Sequence, residues 1–319
     1  MPCTEIVAND STRHLADQSC GHWVPATKIT ADNLFVLKIV SLQPKYYLNP
    51  FQPQRTEAMR KQTLLIAMVA ASIFLTSCAG TREKFPTKSF GRPYENPQIV
   101  SGMLFKPEGK GSFPAVVLLH TCGGLLPHVT QDWPNYLTDL GYVVLSVDSY
   151  GPRWVGSCDQ LVGHKILQAE DAYGALEYLA NLPFVDADRI GVIGFSAGAI
   201  AINSVLANQM KVEPRKLSFQ AAIAMYGLCR NLFNYGEASI PLMEIVAEHD
   251  KLHAVSCIYA GKNFPNLEVH VLPGAYHAFD KIGGSGKRDS RGSYMLYSKT
   301  ATEQARELTK DFLARHLRN

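Results

Sequence analysis

The residues best suited to chemistry in this sequence surround Ser196, where an apolar run gives way to a helix-forming segment. Residues 190–195 are mostly apolar, and Gly194 and Gly198 lie two positions before and after the serine. Such a tight turn between strand and helix requires very small residues two positions before and after the serine. The turn places the serine hydroxyl above the sheet, where a substrate carbonyl can reach it. The pattern predicts a nucleophile elbow, although Gly-x-Ser-x-Gly also occurs by chance in loops rich in these residues.

A serine nucleophile needs an imidazole to accept its proton and a carboxylate to orient that imidazole. In parallel-sheet hydrolases the three residues follow in the order serine, acid, histidine. Asp250 comes after an apolar strand at 242–246, and His277 comes after a strand at 267–272 and a Pro-Gly turn. We therefore predict Asp250 as the acid and His277 as the base.

Other residues compete for both roles. Glu248 stands beside Asp250 in the same loop, whereas Asp148 precedes Ser196 and so has the wrong chain order. Among the rival histidines, His270 lies inside a predicted strand and His316 lies inside the last helix. The other two, His249 and His253, are too close in sequence to the acid.

The negative oxygen of a tetrahedral intermediate requires N–H donors that are already in place. The residue after the nucleophile, Ala197, supplies the first donor in such elbows. The loop after the strand at 114–120 contains Gly123 and Gly124, which allow the backbone to approach a ligand. We predict the N–H of Cys122 as the second donor, with Thr121 as the alternative.

Strands and helices alternate along the chain, which predicts the α/β class with a mostly parallel sheet covered on both faces, as in the α/β-hydrolase fold. Predicted strands span residues 99–105, as an edge strand, 114–120, 142–148, 190–195, 221–226, 242–246 and 267–272, and predicted helices span 133–140, 165–182, 197–208 and 299–317. We expect one hydrolase domain, residues 97–319.

The N-terminal region has a different character. Residues 1–58 show no sustained period and are best explained as translated upstream sequence, because a positively charged segment at Met59 opens a secretory signal peptide, residues 59–77. The end of that segment resembles a bacterial lipobox, which implies cleavage before a lipidated Cys78, and residues 79–96 then form a tether. An uncleaved signal anchor and a core helix are the alternatives.

An exported domain changes how its cysteines are interpreted. Apart from Cys3, Cys20 and Cys78, four cysteines remain in the mature domain, and an even number in an oxidising compartment allows two disulfides. We favour Cys229 with Cys257 and Cys122 with Cys158, because each pair would join loops at neighbouring strand ends. Four free thiols are the alternative. A zinc site is disfavoured because no two of these cysteines lie two to four residues apart.

Composition argues against a nucleic-acid partner. The formal net charge is +3 over 319 residues, and no lysine and arginine cluster is interleaved with aromatic residues.

Several segments together resemble the dienelactone hydrolase family of α/β-hydrolases: residues 116–125, 147–153, 194–198, 248–250 and 277–280. The resemblance covers most of residues 95–317 and implies a compact, largely lidless enzyme that attacks ester or lactone carbonyls without a cofactor. The founding members use a cysteine nucleophile where this chain has Ser196, and residues 121–125 lack their glutamate. The resemblance also places Arg153 roughly where such enzymes hold a substrate carboxylate, with a loop-bracing arginine as the alternative.

The sequence thus predicts a serine esterase that cleaves a small-molecule ester or lactone through an acyl-enzyme. The predicted anchor places it on the bacterial cell envelope, facing the periplasm or exterior. A peptidase or acyltransferase with the same triad, and a non-catalytic envelope protein that binds a ligand on this fold, are the alternatives.

Overall fold

An eight-stranded sheet with helices on both faces dominates the computed structural model. The structure describes residues 80–88, 98–160, 167–211, 217–229, 240–264, 266–289 and 292–318, all within one compact unit, Ala79–Asn319. The predicted signal peptide, residues 59–77, and Cys78 lie outside the described residues.

The strands of the sheet follow in chain order as β1 Thr81–Pro86, β2 Ile99–Phe105, β3 Phe113–Leu119, β4 Val143–Asp148, β5 Val185–Phe195, β6 Ala221–Met225, β7 Leu242–Ala247 and β8 Leu267–Leu272. Their spatial order is β1-β2-β4-β3-β5-β6-β7-β8. β1 and β2 are antiparallel to their neighbours, and the pairs from β4 and β3 through to β8 are parallel. The mostly parallel α/β-hydrolase sheet is therefore confirmed.

The helices are α1 Trp133–Asp139, α2 Leu167–Ala180, α3 Ala197–Lys211, α4 Lys251–Gly261 and α5 Lys299–Leu317. Successive side chains of β3 face opposite sides of the sheet, as in any strand. Val117 packs in the core formed with α2, α3 and α4, while Leu118 packs in the core formed with α1 and α5. Two buried cores explain why the central strands read as continuous apolar runs.

Three features differ from the sequence predictions. The predicted tether contains strand β1, because Phe85 packs into the core against Tyr178 and the strand pairs along β2. β2 is consequently an interior strand rather than an edge strand. Helix α4 and a short hairpin, β9 Lys287–Arg288 with β10 Tyr294–Met295, were not predicted.

Among the described helices, none combines the length and the apolar character that crossing a bilayer requires.

Candidate active site

Ser196 sits on a strained turn between β5 and α3. Its φ is +52°, in the left-handed region that side chains rarely adopt, and its N–H donates to the carbonyl of Met225 at 3.0 Å. A Cβ at Gly194 would lie 2.3 Å from the oxygen of Gly198, and a Cβ at Gly198 would lie 2.3 Å from the oxygen of Leu119. Both glycines are therefore required by the close approach of backbone around the serine.

The structure brings together the three residues predicted as a triad. Ser196 Oγ lies 3.0 Å from His277 Nε2, and His277 Nδ1 lies 2.5 Å from Asp250 Oδ2. Asp250 directly precedes α4 after the end of β7, and His277 lies in the loop after β8. Because β5, β7 and β8 are parallel, the three residues that follow their carboxyl ends lie at the same end of the sheet. In this arrangement Nδ1–H donates to the carboxylate and Nε2 is available to the serine proton.

Asp250 is held by more groups than the sequence indicated. Its Oδ1 accepts a hydrogen bond from Ser293 Oγ at 3.1 Å and lies 2.7 Å from His253 Nδ1. Burial raises the pKa of this carboxyl, but His253 and His277 outweigh burial and hold its pKa below the usual range. The carboxylate of Asp250 is therefore ionised throughout the neutral pH range.

His253 and Ser293 were missed as partners of the acid for different reasons. His253 follows Asp250 by three residues on α4, so helical spacing could have revealed the contact. Ser293 comes from the hairpin region after β8, and no sequence pattern connects it to Asp250.

A buried network fixes the loop that carries His277. The carboxylate of Asp280 accepts hydrogen bonds from Tyr226 Oη at 2.8 Å and from Trp133 Nε1 at 2.7 Å. The ring of Tyr226 also packs edge-on against His277, with centroids 5.0 Å apart. Burial, followed by the neighbouring Asp280, raises the pKa of Tyr226 far above its usual value. Tyr226 therefore acts as a neutral donor that braces the histidine loop.

The rival acids and bases are engaged elsewhere. Glu248 accepts the N–H of Gly274 at 2.7 Å. The remaining groups have separate contacts: Asp148 with the N–H groups of Tyr150 and Gly151, His249 with Tyr276, His270 with Glu268, and His316 with Phe312.

The structure places Ala197 directly after Ser196 and Cys122 in the wall of the cavity beside Ser196. Ala197 opens α3, so its N–H belongs to the first turn, where helical N–H groups have no intrahelical acceptor. Cys122 lines the cavity next to Ser196. The peptide joining Thr121 and Cys122 is positioned by His120, whose Nδ1 lies 2.7 Å from the oxygen of Thr121.

His120 is a neutral imidazole with a defined tautomer. Its Nε2 accepts the N–H of Ser149 at 3.2 Å, so the ring proton is on Nδ1 and is donated to Thr121. Complete burial lowers the pKa of His120 to about 4. A neutral ring therefore orients the backbone of the loop after β3 throughout the neutral pH range.

Both predicted disulfides are confirmed. Cys122 pairs with Cys158, and Cys229 pairs with Cys257. The first bond joins the loops after β3 and β4 at the cavity wall, and the N–H of Cys158 also donates to the oxygen of Cys122 at 3.0 Å. Cys122 is thus held through both its side chain and its backbone.

The cavity beside the serine is small. Its volume is about 200 Å³, and its wall comes from four loops: Thr121 to Gly123, Ser157 and Asp159, the His277 loop with Lys281, and the hairpin with Asp289 and Met295. Typical pockets for drug-sized ligands measure roughly 300–1,000 Å³. The cavity therefore fits a short acyl or leaving group.

Arg153 does not reach this cavity, contrary to the prediction that it binds a substrate carboxylate. Its guanidinium donates two hydrogen bonds to the carboxylate of Asp171, at 2.8 and 2.9 Å. It also donates to the oxygen of Ser149 at 2.7 Å and to Gln98 Oε1 at 2.6 Å. The buried Asp171 needs a cationic partner, since an unpaired buried charge is costly. Arg153 is therefore the loop-bracing arginine of the alternative reading.

Three groups of described residues have donor sets that resemble a metal site, and in two of them the cysteines are joined in disulfides. The third group is formed by the two histidines around Asp250. Single ligand atoms of Asp250, His253 and His277 lie within 4.8 Å of one another. The two imidazole nitrogens lie 2.7 and 2.5 Å from the carboxylate oxygens, which are hydrogen-bond distances rather than the wider spacing of ligands around zinc. The cluster is best described as a carboxylate hydrogen-bonded to His277, with His253 in close contact on its other oxygen.

Fold and site together define an α/β-hydrolase. Residues 100–317 match the dienelactone hydrolase family, and the chain belongs to that family.

Individual relatives are more distant. Esterase FrsA from Klebsiella pneumoniae is 26% identical over 166 residues, which cover 49% of this chain and 36% of the esterase, so the match spans about a third of that relative's length. A dienelactone hydrolase-like promiscuous phosphotriesterase from metagenomic libraries has a TM-score of 0.58 at 20% identity, covering 75% of this chain and 99% of its own. The Pyrococcus horikoshii acylaminoacyl peptidase has a TM-score of 0.53 at 16% identity, covering 77% and 43%. These two structures are similar in fold.

Proposed function

We propose that this protein is a serine hydrolase that cleaves a small ester or lactone through an acyl-enzyme, with Ser196 as nucleophile, His277 as base and Asp250 as orienting acid. The observation that carries the proposal is the continuous chain of contacts from Ser196 Oγ through His277 to Asp250, at 3.0 and 2.5 Å. Serine and imidazole within hydrogen-bond reach, with the imidazole oriented by a third group, are the signature of an activated nucleophile.

In the acylation step, Ser196 Oγ forms a bond to the carbonyl carbon while its proton moves to His277 Nε2. The carbonyl electron pair moves onto oxygen, where the N–H groups of Ala197 and Cys122 stabilise the negative charge. When the intermediate collapses, the carbon–oxygen bond to the leaving group breaks, and the departing alcohol takes the proton from His277.

Deacylation repeats these movements with water. His277 Nε2 accepts a proton from water as the oxygen attacks the acyl carbon, and the proton then returns to Ser196 Oγ as the acid leaves. Asp250 remains ionised throughout and stabilises the imidazolium, consistent with its lowered pKa.

The cavity volume supports a short-chain substrate. A space of about 200 Å³ accommodates a small acyl or lactone group beside Ser196 but not a long acyl chain. We expect hydrolysis of acetyl and butyryl esters to exceed that of decanoyl esters.

We also propose that a lipidated Cys78 anchors the enzyme on the cell envelope. The signal-like segment that ends at this cysteine supports this assignment. Two disulfides in the described domain agree with an oxidising compartment. Intact-mass analysis of the mature protein tests it, since an unmodified, uncleaved chain would contradict the anchor.

Labelling with a fluorophosphonate tests the nucleophile. The wild-type protein is expected to be labelled, and Ser196→Ala is expected to abolish labelling. Ser157→Ala, which alters another serine of the same cavity, is the matched control and should retain it. Labelling that persists in Ser196→Ala would overturn the assignment. Wild-type protein that turns over no member of a panel of short esters, thioesters, lactones and peptides would instead favour a binding protein.

A further inference from the structure

The surface around β1 combines exposed cations with exposed apolar side chains. Arg82 and Lys84 alternate with inward residues on this edge strand, so both project to the same exposed side. They line a groove of about 550 Å³ together with Ile99 and Pro152. Because β1 is the last strand of the sheet, the groove lies at the edge of the domain.

The loop after β4 extends this surface with a tryptophan. Trp154 is 96% exposed and has a φ of +59° at the end of a short helical turn, Gly151–Arg153. Ile99 is 59% exposed. Arg153 Nε donates to Gln98, the residue before Ile99, so the turn is attached to the start of β2. A large aromatic side chain so fully exposed is unusual, since tryptophan is highly buried on average.

The charge of the groove is positive. Asp148 is its one described carboxylate, and that group already accepts the N–H of Gly151 at 2.8 Å and lies 3.6 Å from Arg82. Arg82 and Lys84 together outweigh Asp148, so the groove keeps a net positive charge beside exposed Ile99 and next to the turn that precedes Trp154. Tryptophan favours the boundary between lipid headgroups and water, and basic side chains are attracted to anionic headgroups.

The position of β1 close to Cys78 along the chain indicates a membrane as the partner of this surface. β1 begins at Thr81, three residues after Cys78. Three residues span at most about 11 Å when extended, so an anchor at Cys78 keeps β1 close to the bilayer surface.

We propose that Arg82, Lys84, Ile99 and Trp154 form a face that docks on an anionic phospholipid bilayer. This inference rests on the proposed anchor at Cys78. One lipid signal plus a basic patch gives firmer membrane attachment than either alone. The docking face and the catalytic cavity share one loop, because Ser157 and Asp159 line the cavity three and five residues after Trp154. Docking therefore places the cavity mouth near esters dissolved in the membrane surface.

Fluorescence quenching in reconstituted vesicles tests the docking face. The intact lipidated chain is reconstituted into phosphatidylcholine vesicles with or without phosphatidylglycerol, with bromine atoms on the acyl chains as the quencher. Subtracting the signal of Trp154→Phe isolates Trp154 from Trp133, the other tryptophan after Cys78, which is fully buried. We expect quenching of Trp154 in anionic vesicles, reduced at least threefold in neutral vesicles and at high salt.

Charge reversal provides the matched comparison. Arg82→Glu with Lys84→Glu should reduce the Trp154 quenching at least threefold, whereas Lys299→Glu with Lys310→Glu, an equal charge change on α5, should leave it unchanged. The proposal would be overturned if no quenching depended on Trp154, or if quenching were equal in all variants and lipids. Crosslinking of Trp154 to a protein, without quenching, would instead assign this face to a protein partner. Fluorophosphonate labelling of the same samples reports the catalytic proposal separately.

Discussion

At the residue scale, the behaviour of Asp250 depends on the side chains that converge on its carboxylate. His277 occupies one oxygen, while Ser293 and His253 approach the other. The two histidines favour the ionised form, and the three contacts together fix the plane of the carboxylate. In the proposed triad, Asp250 is therefore held in one orientation, which would keep His277 in the productive tautomer.

Replacement of Asp250 by asparagine tests this role. An amide would favour the wrong tautomer of His277, and we expect kcat on a short ester to fall by about 10⁴-fold with little change in the folded state. Glu248→Gln is the matched control, because this rival acid contacts the N–H of Gly274 and should change kcat less than threefold. A larger loss in the control than in Asp250→Asn would reassign the acid.

Glu244 on β7 is a buried carboxyl group that the proposed chemistry does not use. Burial raises its pKa well above the usual range, and neither carboxyl oxygen has a hydrogen-bond partner among the described residues. An unfolded chain ionises this group at a pKa of about 4.3. At pH values above about 4.3, the folded state therefore binds more protons than the unfolded state. The free energy of unfolding consequently falls as the pH rises.

We therefore expect Glu244→Gln to stabilise the protein relative to wild type increasingly between pH 4.5 and 8. The difference in unfolding free energy should grow by no more than about 1.4 kcal/mol per pH unit. Denaturant unfolding at several pH values measures it. The surface change Glu268→Gln should show no such trend, and a flat difference for Glu244→Gln would contradict a raised pKa.

At the element scale, the loops that follow β3 and β4 build one wall of the cavity together. The disulfide between Cys122 and Cys158 joins them, and His120 orients the peptide whose N–H is the proposed oxyanion donor. The second disulfide joins Cys229 to Cys257 on α4, and neither cysteine lines the cavity. The two bonds close loops of similar length, with sequence separations of 36 and 28 residues, so their effects on the unfolded chain should be similar.

This pair allows a matched comparison of stability and catalysis. Replacing both cysteines of either disulfide by alanine should cost roughly 2–4 kcal/mol of stability. Only the Cys122→Ala and Cys158→Ala variant should also lose kcat, by tenfold or more, because its backbone donor is no longer held. Kinetics on a short ester below the unfolding transition measure this, and equal kcat losses in both variants would argue against the positioning role.

What the sequence could predict follows from how locally each feature is encoded. The strands leading to Ser196 and Asp250 are mostly apolar, and the strand leading to His277 alternates apolar with polar residues. Chain order together with these strand ends was enough to select the three residues that the structure brings together. Ser293 and the network through Tyr226 and Asp280 depend on contacts between distant segments, which no local pattern encodes. Arg153 was misjudged because its buried partner, Asp171, lies on a helix 18 residues away.

At the scale of the whole molecule, the sheet sets where the folded domain begins. Polarity alone suggested a tether over residues 79–96, but β1 completes the sheet, and Phe85 is 2% exposed in the core beside Tyr178. The alternation in β1 explains the error, because its outward positions are polar while one inward aromatic residue supplies the anchoring contact. The proposed anchor at Cys78 would therefore be attached almost directly to the folded domain.

If β1 is an integral strand, truncating its core residue must destabilise the entire domain. Phe85→Ala is expected to cost about 3–5 kcal/mol through lost burial and a residual cavity, lowering Tm by roughly 10 °C for a domain of this size. Lys84→Ala alters the neighbouring outward position and should shift Tm by less than 2 °C, since surface substitutions usually change stability little. Thermal unfolding followed by circular dichroism measures both variants. A tether would tolerate both changes equally, so equal Tm values would show that residues 81–86 belong to a linker. A large loss of Tm in Phe85→Ala alone would place the boundary of the hydrolase domain within a few residues of Cys78.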